Sequence, residues 1–162
     1  MNPLPSGPLP ASRDCFVCGR DSEGGFRARL RHEDGEVLAD VEIPEHFQGY
    51  PGTAHGGVVT ALLDEVLAWA VMTAMGRLCV THEMRLRFLR PVPTDTPLLV
   101  RARVPSGRGR ERLRSEARLE GPGGETLAEA EASFAPALRA ERHRMDAFLV
   151  YDPGALRIFD PS

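Results

Sequence analysis

Polar and apolar residues alternate with a period of two over long parts of this chain. Phe26, Ala28 and Leu30 are interleaved with Arg27, Arg29 and Arg31, and Val37, Ala39, Val41 and Ile43 with Glu36, Asp40 and Glu42. Alternation of this kind turns successive side chains to the two faces of a half-buried strand. Asp34-Gly35 between the runs is a hairpin signal. An Arg face opposite an acidic face adds a modest cross-strand attraction. The period then changes. His55–Ala70, HGGVVTALLDEVLAWA, opens on a His and two glycines and stays apolar for most of four turns. It predicts one long helix from about Gly56 to Met75, stopped by Gly76. Ahead of it, FQGYPGTA (Phe47–Ala54) is rich in Gly and Pro and reads as a loop. Strand patterns then resume: Met84, Leu86 and Phe88 up to Pro91, then Leu98–Val104, Arg112–Leu119 and Thr126–Phe134. Turns are expected at Pro93–Pro97, Pro105–Gly109 and Gly121–Gly124.

Strand, strand, long helix and four strands is the order of an α+β domain, an antiparallel meander with one helix on one face. Ala128, Ala130 and Ala132 would let the helix come close to the sheet. Residues 1–13 are Pro-rich and predict a flexible arm. At the other end, residues 137–162 form an extension. Within it Leu138–Val150 predicts a short helix, and Phe148, Leu149, Tyr151, Leu156, Ile158 and Phe159 are too apolar to be free. This extension is expected to pack on the domain or on a partner subunit.

Composition adds limits. The 162 residues, 42% hydrophobic and 27% charged, suit one globular domain with its own core. No run of 18 apolar residues occurs, so no membrane span is expected. MNPLPSGPLPASRD lacks the basic and apolar regions of a signal peptide, and the expected location is cytoplasmic. The net charge of −3 argues against a general nucleic-acid binder. All 20 basic residues are Arg, the residue suited to bidentate anion contacts. Three cysteines give no disulfide framework. Cys15-Phe-Val-Cys18-Gly19 is a lone CxxC. As half of a four-ligand zinc site it lacks two ligands, since no second CxxC or close His pair follows, and Cys79 and His32 could join only through folding. The expectation is a tight knuckle with packed thiols, and neither a metal nor an organic cofactor.

The chemistry lies in the helix. Asp64 and Glu65 interrupt its apolar run, and a buried carboxylate costs several kcal/mol unless it is paired or functional. Four features coincide with the strand–helix–strand order: the FQGYPGTA loop, His55-Gly56-Gly57, an acid nine positions after the His, and Thr81 opening THEMRLRFLRP. Together they resemble the hotdog-fold acyl-CoA thioesterases, most nearly the phenylacetate-degradation type, over roughly residues 14–136. The CFVCG segment is similar to an N-terminal feature of the same group. The resemblance implies a hotdog fold, an antiparallel sheet wrapped around one long central helix. It implies hydrolysis of an acyl-CoA thioester to free acid and CoA, with Asp64 as nucleophile or general base. The Gly56 N–H would polarise the carbonyl, as an unpaired helix N-terminal donor can. Gly57 would admit the substrate close to the backbone. His55 would shape the turn and contact the carbonyl or a water, and Thr81 would orient the water or Asp64. One position departs from the pattern: where some relatives carry an Asn, six residues before the His, this chain has Gly49, with Gln48 the candidate replacement. Arg90, Arg108, Arg110 and Arg112 are candidates for the CoA phosphates, and Leu62, Leu63, Val66 and Trp69 for the acyl pocket. Glu65 reads as a structural or interface acid.

Spacing adds a constraint. Nine residues at about 100° each leave Asp64 half a turn out of phase with His55 and about 13 Å along the axis. One helix cannot bring both ends of its motif to one carbon. Two antiparallel helices can, and hotdog thioesterases share their sites in this way. The expectation is an obligate homodimer with two composite sites, open to further pairing into a tetramer. Two other classes stay open: a non-catalytic acyl-CoA-binding or ligand-binding hotdog protein, and a hotdog dehydratase.

Overall fold

The computed structural model describes residues 4–105, 113–138 and 147–159. Gly7–Pro8 already lie on the sheet, which corrects the expectation of a flexible arm for that part of residues 1–13. β1 (Gly7–Pro8) pairs antiparallel with β3 (Arg29–Glu33), and the Leu9 N–H continues the ladder to the Leu30 carbonyl at 2.9 Å. β2 (Ala11–Ser12) pairs with β11 (Leu149–Val150) of the C-terminal extension. An open strand edge offers unpaired backbone groups, and burial of Leu9 and Ala11 adds the apolar gain that seats the arm.

β3 turns into β4 (Glu36–Glu42) through Asp34 and Gly35, both with positive φ, 49° and 84°. This is the geometry an Asp-Gly hairpin favours. Arg31 then pairs with Asp40 across the ladder. After the short hairpin β5 (Gln48–Tyr50) and β6 (Thr53–Ala54) comes α1 (Gly56–Met75). Gly76 ends α1 in the left-handed region, its N–H bonded to Met72 O, as a helix C-terminal glycine commonly does. β7 (Cys79–Phe88), β8 (Pro97–Arg103), β9 (Leu113–Glu120) and β10 (Thr126–Pro136) follow.

The main sheet runs β1-β3-β4-β8-β9-β10-β7, antiparallel throughout. The simple meander expected from the sequence holds for β8, β9 and β10. β7 departs from it, crossing to the far edge beside β10. There Arg87 and Arg85 face Glu129 and Glu131 in register, and Arg87 reaches Glu129 at 3.3 Å. The complementary charges match this strand to β10. The small Ala128, Ala130 and Ala132 are all buried, and the sheet curls around α1, which rests on β4, β7, β8, β9 and β10.

α1 is covered on its other side too. The CxxC segment and the C-terminal extension pack there, with Cys15 reaching Glu65 and Phe159 lying 6.5 Å from Trp69, ring to ring. Arg20 ties the two covering segments together through Asp152, at 2.5 and 2.8 Å. By length and composition alone α1 is apolar enough to cross a membrane, a test that a buried core helix also passes. In this fold it is the core helix, with Leu62, Leu63, Val66 and Leu67 fully buried. Ser115 Oγ donates to the Leu67 carbonyl at 3.0 Å, a polar link between sheet and helix.

Phe134, fully buried on β10, marks the centre of this packing. Phe134→Ala should cost about 3–5 kcal/mol of unfolding free energy, measured by urea denaturation.

Candidate functional site

The loop before α1 is held from several directions. Phe47 stacks on Phe26, with ring centroids 4.7 Å apart, and meets Phe16 edge-on. The Phe47 carbonyl accepts from His55 N–H at 2.9 Å, and Ala54 N–H donates to Val92 O at 2.8 Å. Gln48 Oε1 accepts from Gly52 N–H at 3.1 Å, so its carbonyl staples the β5–β6 turn. Gly49 lies directly against His55: a Cβ there would come within 3.3 Å of His55 Cα and 3.4 Å of its ring. The position where the resemblance expects an Asn therefore adjoins the motif His.

His55 is the N-cap of α1. Its Nδ1 accepts the Gly57 N–H at 3.0 Å, which satisfies one of the donors a helix start leaves without an intrahelical partner. Gly57, expected to contact substrate, thus has its N–H occupied. Gly56 N–H has no acceptor among the described residues and sits at the positive end of the helix. The exposed ring of Phe88 lies beside it, and a Cβ on Gly56 would meet Phe88 Cζ at 3.3 Å. Sequence reasoning placed Phe88 on the apolar face of a strand and gave it no part in the site. It is the last residue of an alternating strand, and only the fold carries that strand to the helix N-terminus.

Asp64 and Glu65 separate as their phase requires. Asp64 is half-buried and accepts from Thr81 Oγ1 at 2.8 Å, so the structure joins the expected Thr81 to the expected acid. Cys79 lies near it, its thiol pushed up to about 12 by burial and then by the Asp64 charge. Glu65 turns the other way. Its Oε1 accepts from Trp69 Nε1 at 2.9 Å and its Oε2 lies 3.4 Å from Cys15 Sγ. Burial first, and Cys15 second, push its carboxyl up to about 7.

The remaining candidates divide. Leu62, Leu63, Val66 and Trp69 are buried in the core of the single chain. Arg90 is exposed and has no carboxylate partner among the described residues. Arg108, Arg110 and Arg112 lie outside the described residues. Within one chain, then, the geometry brings together Thr81 with Asp64, and separately His55 and Gly57 with Gly49, and Gly56 with Phe88. The first pair offers an oriented carboxylate, and the last an N–H donor without an acceptor among the described residues, beside an aromatic face.

The profile of the thioesterase superfamily matches residues 51–127. A solved thioesterase superfamily protein is 29% identical, with a TM-score of 0.70, covering 76% of this chain. This chain spans 60% of that protein's length. A phenylacetic acid degradation-related protein from Ralstonia eutropha JMP134 is 30% identical, with a TM-score of 0.60, covering 69% of this chain and 86% of its own. A thioesterase protein from Streptococcus pneumoniae TIGR4, solved with coenzyme A, shares the fold at 20% identity and a TM-score of 0.62, covering 69% of this chain and 88% of that one. No functionally curated protein matches.

Replacing the N-cap tests the local geometry. His55→Ala leaves the Gly57 N–H without its acceptor and should cost about 1 kcal/mol, read from the midpoint of chemical denaturation.

Proposed function

The chain belongs to the thioesterase superfamily, and on that premise we propose that it is an acyl-CoA thioesterase working as a homodimer with two composite active sites. One observation carries the reading: β7 touches both halves of the motif. Near its start Thr81 holds Asp64, and at its end Phe88 adjoins Gly56. Its outer edge has no neighbouring strand among the described residues. Ten residues of open edge, with Val80 and Phe88 exposed by 45% and 52% and Leu89, just beyond them, by 44%, form a surface that natural proteins cover or pair. A second copy pairing antiparallel there, about a two-fold axis through the middle of the strand, brings the Asp64 end of one chain to the Gly56 end of the other. The same operation resolves the mismatch of about 13 Å and half a turn within one helix.

In the composite site the thioester carbonyl oxygen accepts from Gly56 N–H, where the helix N-terminus favours the oxyanion. Asp64 of the partner subunit acts on the carbonyl carbon as nucleophile or, by taking a proton from water, as general base. Thr81 holds that carboxylate by one oxygen and leaves the other for the reaction. The tetrahedral adduct collapses with cleavage of the C–S bond. On the general-base route CoA leaves as the thiol, taking up the proton drawn from water, and the acyl group leaves as the carboxylate. On the nucleophile route CoA leaves as the thiolate with the partner's Asp64 acylated. Water then hydrolyses that anhydride to two carboxylates, its protons passing to the thiolate and to solvent. The S. pneumoniae protein with its coenzyme A supports CoA as the carrier, and Arg90, exposed and without a carboxylate partner among the described residues, is a cation offered to its phosphates.

Hydrolysis of a panel of acyl-CoA thioesters, followed by free thiol release, tests the activity. Asp64→Ala should lower kcat by about 10²- to 10⁴-fold. If CoA ligands bind but no thioester turns over, the chain is a binding protein instead.

The shared site has a separate test. Gly56→Pro removes the N–H at a position where a helix tolerates proline, and it should lower kcat by about 10²- to 10³-fold. Neither homodimer of these variants retains an intact site. After subunit exchange an equal mixture should recover about a quarter of wild-type activity, since half the dimers are mixed and each of those has one intact site of two. No recovery would overturn the composite arrangement.

A further inference from the structure

The CxxC knuckle and Glu65 take no part in the chemistry just described, yet they converge. Sγ of Cys15, Sγ of Cys18 and a Glu65 carboxylate oxygen lie within 4.8 Å of one another. We propose that these three side chains bind one zinc-class divalent cation, with a fourth position left to water on the half-exposed Cys15 side.

The spacing fits such an ion. Zinc bound to sulfur at about 2.3 Å and to oxygen at about 2.0 Å in tetrahedral geometry sets sulfur and oxygen about 3.5 Å apart. Cys15 Sγ and Glu65 Oε2 are 3.4 Å apart. The knuckle is shaped for thiolates. Gly19 N–H closes the turn on the Cys15 carbonyl at 2.8 Å. Val17 N–H points at Cys15 Sγ at 3.3 Å and Ser12 N–H at Cys18 Sγ at 3.4 Å. Any Cβ at residue 19 would lie 2.3 Å from the Cys15 carbonyl oxygen, so the turn needs glycine. The carboxylate is oriented from behind by Trp69 Nε1, the kind of outer contact that fixes a metal ligand.

Charge balance points the same way. Three groups that can each lose a proton meet where Cys18 is fully buried. Among the described residues no Arg or His hydrogen-bonds or ion-pairs with any of them. Two thiols and a carboxylate this close cannot all ionise cheaply without a cation, and a divalent ion neutralises them while tying the N-terminal knuckle to α1. The two ligands that the CxxC lacked in sequence are not Cys79 and His32. Cys79 Sγ faces the Ala68 carbonyl and His32 Nδ1 bonds Pro5 O at 3.0 Å. The third ligand comes from the helix instead.

The test is a cobalt(II) titration of the reduced, metal-stripped full chain without oxygen, followed by displacement with zinc. The expected result is saturation at one ion per chain, with a thiolate-to-cobalt charge-transfer band and the visible bands of a tetrahedral site. Zinc should abolish both and should raise the melting temperature of the wild type. Cys15→Ser and Cys18→Ser should lose the charge-transfer band of two thiolates and the thermal shift. Trp69→Phe keeps all three ligands but loses the orienting N–H, and should weaken zinc binding by about 10- to 100-fold. Absence of the charge-transfer band in the reduced wild type overturns the proposal without reference to any variant. So does an unchanged band in folded Cys15→Ser. A native Cys15–Cys18 disulfide that forms in preference to metal binding would show a dithiol switch instead.

Discussion

A helix that is apolar around most of its circumference must be covered on every side, and much of this fold follows from covering α1. The sheet takes one side, where alanines on β10 let it approach and Ser115 reaches the Leu67 carbonyl. The N-terminal knuckle and the C-terminal extension take another, joined by Arg20 and Asp152. The knuckle and the described part of the extension are thereby seated by the demand of one helix rather than by strong propensities of their own.

The same enclosure explains why two adjacent acids in the helix have different surroundings. Consecutive residues lie about 100° apart, so Asp64 and Glu65 face different covers. Asp64 meets Thr81 at the rim of β7, where solvent and an open strand edge are near. Glu65 meets Trp69 and the cysteines under the N-terminal segment. One carboxylate is left at an accessible place with a hydrogen-bond donor to orient it. The other is enclosed beside two thiols and held by the Trp69 N–H.

The helix N-terminus shows a division of labour among donors. Gly57 N–H is spent on His55 Nδ1, which fixes the turn. Gly56 N–H is left over, beside Phe88. A helix start must leave several N–H groups without intrahelical acceptors. Here a single capping side chain selects which donor stays available for an anionic oxygen.

Much was legible in the sequence because it depends on local periodicity. The limits of α1, the Asp-Gly hairpin and the strands after the helix follow from spacing, glycine chemistry and alternation, which act over a few residues. So did the prominence of His55, Gly56 and Asp64, an acid in an apolar helix behind a glycine pair. The half-turn phase between them is helix geometry and needs no fold at all. Other features depended on contacts between distant segments, to which periodicity is blind. Only the tertiary structure set β7 at the sheet edge, bringing Thr81 to Asp64 and Phe88 to Gly56. It alone seated β1 against β3 and β2 against β11, and it brought Glu65 to Cys15 across fifty residues of chain. Local pattern states which face of an element is apolar, whereas the partner of each face is chosen by how all the faces are buried together.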